Sequence, residues 1–249
     1  MTDAMTERAH TIISGAESKK LSLRLLGGLA IRMRSPTATK NAANRPILDL
    51  DFFGLSKQRG PLDKLFIQVG LDPYENFNRL HGDQRLIYDD TPNKFTIDIF
   101  LDKFEMCHTF DFRDRLHLDK TTLSLADLMV TKLQIVELNE KDLMDLVCLL
   151  YDHELSNDDT DVETINADYI ANLCADDWGI CKTFTMNLQR ILDRTNVIPL
   201  DDESLNVARK RTEALRNAID SKKKTLRWRL RAKVGDSKQW YNTPEERRK

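Results

Sequence analysis

Arg45 to Gly54 reads RPILDLDFFG, and the seven residues from Ile47 to Phe53 alternate in character. In an extended chain Leu48, Leu50 and Phe52 fall on one side, with Asp49 and Asp51 on the other. A half-buried β-strand is therefore expected here, carrying two carboxylates on its polar face. Paired aspartates two apart on a strand offer hard oxygen ligands to magnesium, which takes a few carboxylates and leaves its other positions to phosphate and water. A further carboxylate from a neighbouring strand would complete such a set.

Upstream, LSLRLL from Leu21 to Leu26 predicts a short strand, and Gly27-Gly28 opens a helical stretch through Arg34. Backbone N–H groups at a Gly-Gly helix start suit phosphate oxygens. Ser35 to Arg45 is rich in Ser, Thr, Ala, Asn and Lys and reads as a loop. Downstream, a helix is expected from Leu62 to Gly70, then two strands, RLIYDD and KFTIDIFLD, joined by a Thr-Pro-Asn turn. In the second strand Phe95, Ile97, Ile99 and Leu101 point one way and Asp98 and Asp102 the other. Both aspartates are candidates for the third carboxylate, and the Ile-Asp-Ile setting favours Asp98.

From Ser124 the period turns helical. Ser124 with Asp127 resembles a capping box ahead of SLADLMVTKLQIVEL, and Asn139 is placed to cap NEKDLMDLVCLL. Further helices are expected over Asn166–Ala175, Lys182–Arg194 and Asp201 to about Arg231. The fold class is α+β: an α/β core with a mixed sheet over residues 1–122, a helical domain over 123–232 and a basic tail over 233–249.

Composition excludes several classes. Apolar residues make 41% and charged residues 31% of the 249, an ordinary globular balance, and no apolar run nears the roughly 18 residues that span a bilayer. No membrane partner is expected. The N-terminus MTDAMTERAH lacks a secretory pattern, and Cys107, Cys148, Cys174 and Cys181 lack zinc spacing, so a cytoplasmic protein with reduced thiols is expected. His10, His81, His108, His117 and His153 show no ligand spacing and read as structural or exposed. The net charge of −2 is unevenly spread: residues 221–249 hold 11 Lys or Arg against 3 Asp or Glu. That tail can attract an anionic partner.

In order, these pieces resemble a known family. LLGGLA followed by RPILDLDFFG is similar to the signature of the DNA polymerase beta type nucleotidyltransferase superfamily, and DLDFF is especially similar to the AbiEii/AbiGii toxin-like nucleotidyltransferases. ADLMVTKLQI and EKDLMDLVCLL resemble that family's helices after the catalytic strand; the resemblance covers about Leu21 to Leu150. It implies a polymerase-beta-like core that moves a nucleoside monophosphate from a nucleoside triphosphate (ATP among the candidates) to an RNA, protein or small-molecule acceptor. Two magnesium ions would sit on Asp49, Asp51 and Asp98, which form the catalytic set. Gly27 and Gly28 would cradle phosphates, Lys132 would face the triphosphate, and Asp142 or Asp145 would complete the nucleotide site. A toxin restrained by an antitoxin is a further implication. The alternatives are a catalytically inactive nucleotide-binding protein and an RNA-binding regulator working through KKKTLRWRLRAK.

Overall fold

The computed structural model describes residues 2–35, 37, 47, 49–194 and 200–244. Leu48, nearly all of the expected 35–45 loop and the last five residues of the tail lie outside the described residues. The chain forms two units, one of residues 1–33, 44–105 and 109–124, the other of 34–43, 106–108 and 125–249.

The first unit is built on a five-stranded mixed sheet. Its elements are α1 (Thr2–Ser18), β1 (Leu23–Leu26), α2 (Gly27–Arg34), β2 (Asp49–Gly54), α3 (Arg59–Gln68), β3 (Asp72–Pro73), α4 (Glu75–His81), β4 (Arg85–Asp90) and β5 (Phe95–Leu101). A small antiparallel pair follows, β6 (Lys103–Glu105) and β7 (Thr109–Asp111). The strand order is β1-β2-β5-β4-β3. Only β2 and β5 run parallel; the other neighbours are antiparallel. Strand β2 has a partner along each edge, and toward its C-terminal end both of its faces are covered. Leu50 and Phe52 are fully buried on one face, and Phe53, on the aspartates' side, is closed by the edge of Phe112 at 5.5 Å. Each such side chain contributes about 1.5–3 kcal/mol by leaving water.

Helix α1 was not foreseen. Its buried residues Met5, Ala9, Ile12, Ile13 and Ala16 recur at helical spacing and pack on β1 and α3. Helix α3 begins three residues earlier than expected and ends two earlier, and β4 and β5 lie where the alternation put them.

The second unit is helical: α5 (Leu125–Leu133), α6 (Glu140–Asp152), α7 (Ala167–Asp176), α8 (Trp178–Arg194), α9 (Asp202–Ser221) and α10 (Leu226–Val234), with a two-residue parallel pair, β8 (Leu155–Ser156) and β9 (Ile165–Asn166). Asn139, Asn166, Asp201 and Thr225 each cap the following helix, accepting from the backbone N–H three residues on. Three helices differ in length from expectation, α8 by beginning at Trp178, four residues before Lys182. Helix α5 stops at Leu133 because the Asn187 amide takes the carbonyls of Leu133 (2.8 Å) and Ile135 (2.7 Å). The long final helix breaks at Lys222–Thr225, where the extended Thr225 donates its N–H to the Ala175 carbonyl at 3.0 Å. Within the tail, Trp240 donates to Thr183 at 3.1 Å and meets Trp178 edge-on at 6.1 Å. Among the described residues no helix is long and apolar enough to cross a membrane. The protein is thus α+β, with a mixed sheet in its N-terminal part and helices in its C-terminal part.

Candidate active site

The carboxylates gather where β1, β2 and β5 lie side by side. Register sets Asp51 directly opposite Asp98 on the parallel neighbour and opposite Leu26 on the antiparallel one, with Asp49 opposite Thr96. Neighbouring strands lie about 4.7–4.9 Å apart, so directly opposed side chains on one face are close neighbours. Asp49 is exposed, Asp51 half-buried and Asp98 buried, so the row deepens along the face.

Gly27 closes one side of this place. It follows β1 in the left-handed region, φ 75°, and a Cβ there would lie 2.2 Å from Asp51 Oδ2. The residue is glycine because both its backbone angle and the Asp51 carboxylate leave no room for a side chain. Gly28, next to it, is in the first turn of α2.

Arg85 escaped the sequence argument. From β4 its guanidinium grips Asp98 with two hydrogen bonds, Nε to Oδ1 at 2.6 Å and Nη2 to Oδ2, and lies over the Phe100 ring at 4.9 Å. Burial alone would lower the Arg85 pKa, yet the bonds and charge of Asp98, with the charge of Asp51, raise it. It stays a cation. The only sequence signal was its place two residues before Ile87 on an alternating strand, and a lone arginine there is ordinary.

Asp102 is placed elsewhere. It lies just past β5 at φ 62°, and its carboxylate accepts from the Ser56 N–H at 3.0 Å and the Ser56 hydroxyl at 2.5 Å. Those bonds fix the turn after β2.

Lys132, Asp142 and Asp145 form a cluster of their own inside the second unit. Lys132 Nζ lies 2.7 Å from Asp142 Oδ1 and 2.9 Å from Asp145 Oδ2, and all three side chains are at most 15% exposed. Burial would lower the lysine pKa, but the carboxylates of Asp145 and Asp142 overcome it and hold the ammonium well above its ordinary value. Asp142 also sits in the first turn of α6, where the helix dipole favours a negative charge.

The donors on the sheet are of the kind a divalent cation takes, three aspartates and no sulfur or imidazole. Among the described residues no three His, Cys, Asp or Glu side chains converge as a ready cage, and Arg85 holds both oxygens of Asp98. Asp49 and Asp51 fit the role of ligands at the open side of the row. Asp98 fits it after exchanging its guanidinium for a metal.

No protein-family model matches the chain, and no curated protein matches it in sequence. Among solved structures, the solution structure of the antibiotic-resistance factor ANT(2'')-Ia is similar, at 12% identity, covering 88% of this chain and 97% of that one with a TM-score of 0.40.

Proposed function

We propose that this protein is a metal-dependent nucleotidyltransferase of the DNA polymerase beta type. The observation that supports it is the in-register pair of Asp51 and Asp98 on adjacent parallel strands, with Asp49 two residues before and Gly27 packed on the Asp51 carboxylate. Asp49 and Asp51 would hold magnesium, the ion supplying positive charge beside the α-phosphate of a nucleoside triphosphate. Gly27 and Gly28 would offer backbone N–H groups at the start of α2 to phosphate oxygens. Asp98, once released from Arg85, would be the third carboxylate, joining the metal ligands and helping to take the proton of the acceptor hydroxyl.

The substrate reading extends to the resemblance in the sequence: an acceptor that is RNA, protein or a small molecule, and a toxin of the AbiEii kind whose activity an antitoxin restrains. The test is incubation with each α-labelled triphosphate, magnesium and cell extract. Label transferred to a macromolecule or small molecule, lost on chelation and in Asp51→Asn, supports the assignment; no transfer with any triphosphate overturns it.

A second reading rests on Arg85. Its two bonds to Asp98 make a nucleotide-binding protein without turnover a coherent state of the same site. Such a protein would bind triphosphate with magnesium and release no pyrophosphate.

A further inference from the structure

Among the described residues seven large apolar side chains are exposed, and three of them share one helix of nine residues. These are Leu226, Leu230 and Val234, 64%, 55% and 45% exposed, at positions i, i+4 and i+8 of α10. That spacing stacks them in a single row. Single exposed leucines are ordinary, whereas a continuous row on one face is not.

The helix is held from its other side. Thr225 caps it and bonds to the end of α7, the Trp228 indole nitrogen is buried, and Arg231 lies over the Trp178 ring at 4.7 Å while donating to the carbonyls of Gly235 and Lys238. The apolar row is therefore what the packing leaves outward. Arg227 borders it on one side, Arg229 and Lys233 on the other, and the helix carries no acidic residue.

We propose that this face of α10 docks an acidic amphipathic helix of another protein, with leucine or isoleucine at i, i+4 spacing and carboxylates beside them. Charge decides the occupant. A second copy would set cations against cations, since both borders of the row are basic. Nucleic acid gains little from branched aliphatic side chains, and the one aromatic ring on the helix, Trp228, is turned toward the protein. An apolar row between basic borders is the complement of an apolar row between acidic ones, the helix-in-groove mode of recognition.

The experiment is fluorescence anisotropy on the full chain with four probes: a labelled synthetic helix bearing such a leucine row flanked by glutamates, a peptide of the same composition with the leucines dispersed, phosphatidylglycerol vesicles, and a single-stranded RNA oligomer. The ordered peptide is expected to bind, more weakly as salt rises, and to lose at least about tenfold in affinity in Leu226→Ser and Leu230→Ser. Both positions are exposed, so thermal melts of the variants should match the parent. Equal binding of the dispersed peptide would reduce the effect to bulk charge and overturn the proposal. Binding of vesicles or RNA that needs Leu230 while the ordered peptide fails would overturn it too, as would self-association abolished by Leu230→Ser.

Discussion

Aspartates meet a cation in both units, Arg85 on the sheet and Lys132 among the helices, yet the two settings treat charge differently. On the sheet, Arg85 holds the buried Asp98, with Asp51 half-buried beside it and Asp49 out in water. Among the helices, one ammonium answers two carboxylates, and all three are nearly closed off. Surplus charge that faces solvent costs little and can be met by an arriving cation. Charge that is buried must be met within the fold, and removing one partner strands the other.

The largest effect expected from this contrast is on chemistry. Asp51→Asn should cut nucleotidyl transfer by about 10³-fold or more, roughly 4 kcal/mol of transition-state stabilisation, while the fold is kept. Unchanged turnover would remove the sheet cluster from the mechanism. Lys132→Ala should do the opposite, costing about 3–5 kcal/mol of stability because two buried carboxylates lose their cation. Denaturant melts measure it, and Lys132→Ala combined with Asp142→Asn and Asp145→Asn should regain much of the loss. If the single variant melts like the parent, the helical cluster is not structural; kcat and KM of the folded triple variant then report any role toward triphosphate.

The helical unit also buries a group that must stay neutral. Burial pulls the His108 pKa down to about 4, with Nε2 2.8 Å from the Thr183 hydroxyl. The unfolded chain takes up this proton first, near pH 6.5, so His108 contributes stability above that pH and loses it as pH falls toward 4, up to about 3 kcal/mol. Urea melts at pH 7 and pH 4.5 should show the slope, and His108→Gln should flatten it. On the sheet, Gly27→Ala pushes a Cβ into the Asp51 carboxylate at a left-handed position. It should cost about 1–3 kcal/mol and displace Asp51, lowering transfer with it. Activity at the parental level would show that Gly27 serves the turn alone. The smallest effect belongs to Asp102→Ala, which loses the bonds to Ser56 and about 1 kcal/mol, with transfer kept. Loss of transfer there, with Asp98→Ala active, would shift the third carboxylate by four residues.

Ile47–Phe53 was legible because alternation is a property of the extended chain: Leu50 and Phe52 go into the core and Asp49 and Asp51 to the other face wherever that strand is placed. Caps are equally local. Asn139 and Asn166 each bond a backbone N–H three residues away, so their helices start where the sequence puts them. Helix α1 carried the same kind of signal, Met5, Ala9, Ile12 and Ala16, hidden among polar neighbours that the apolar row does not need. The tertiary structure alone decided the rest, because the partners are remote in the chain. Arg85 reaches Asp98 through strand pairing, Asp102 turns from the carboxylate face to Ser56 46 residues earlier, and Asn187 ends α5 from 52 and 54 residues away. Lys132, Asp142 and Asp145 stand close enough in sequence to suggest a cluster. That the lysine bonds both carboxylates out of solvent depends on how α5 and α6 pack, which no local pattern of either helix contains.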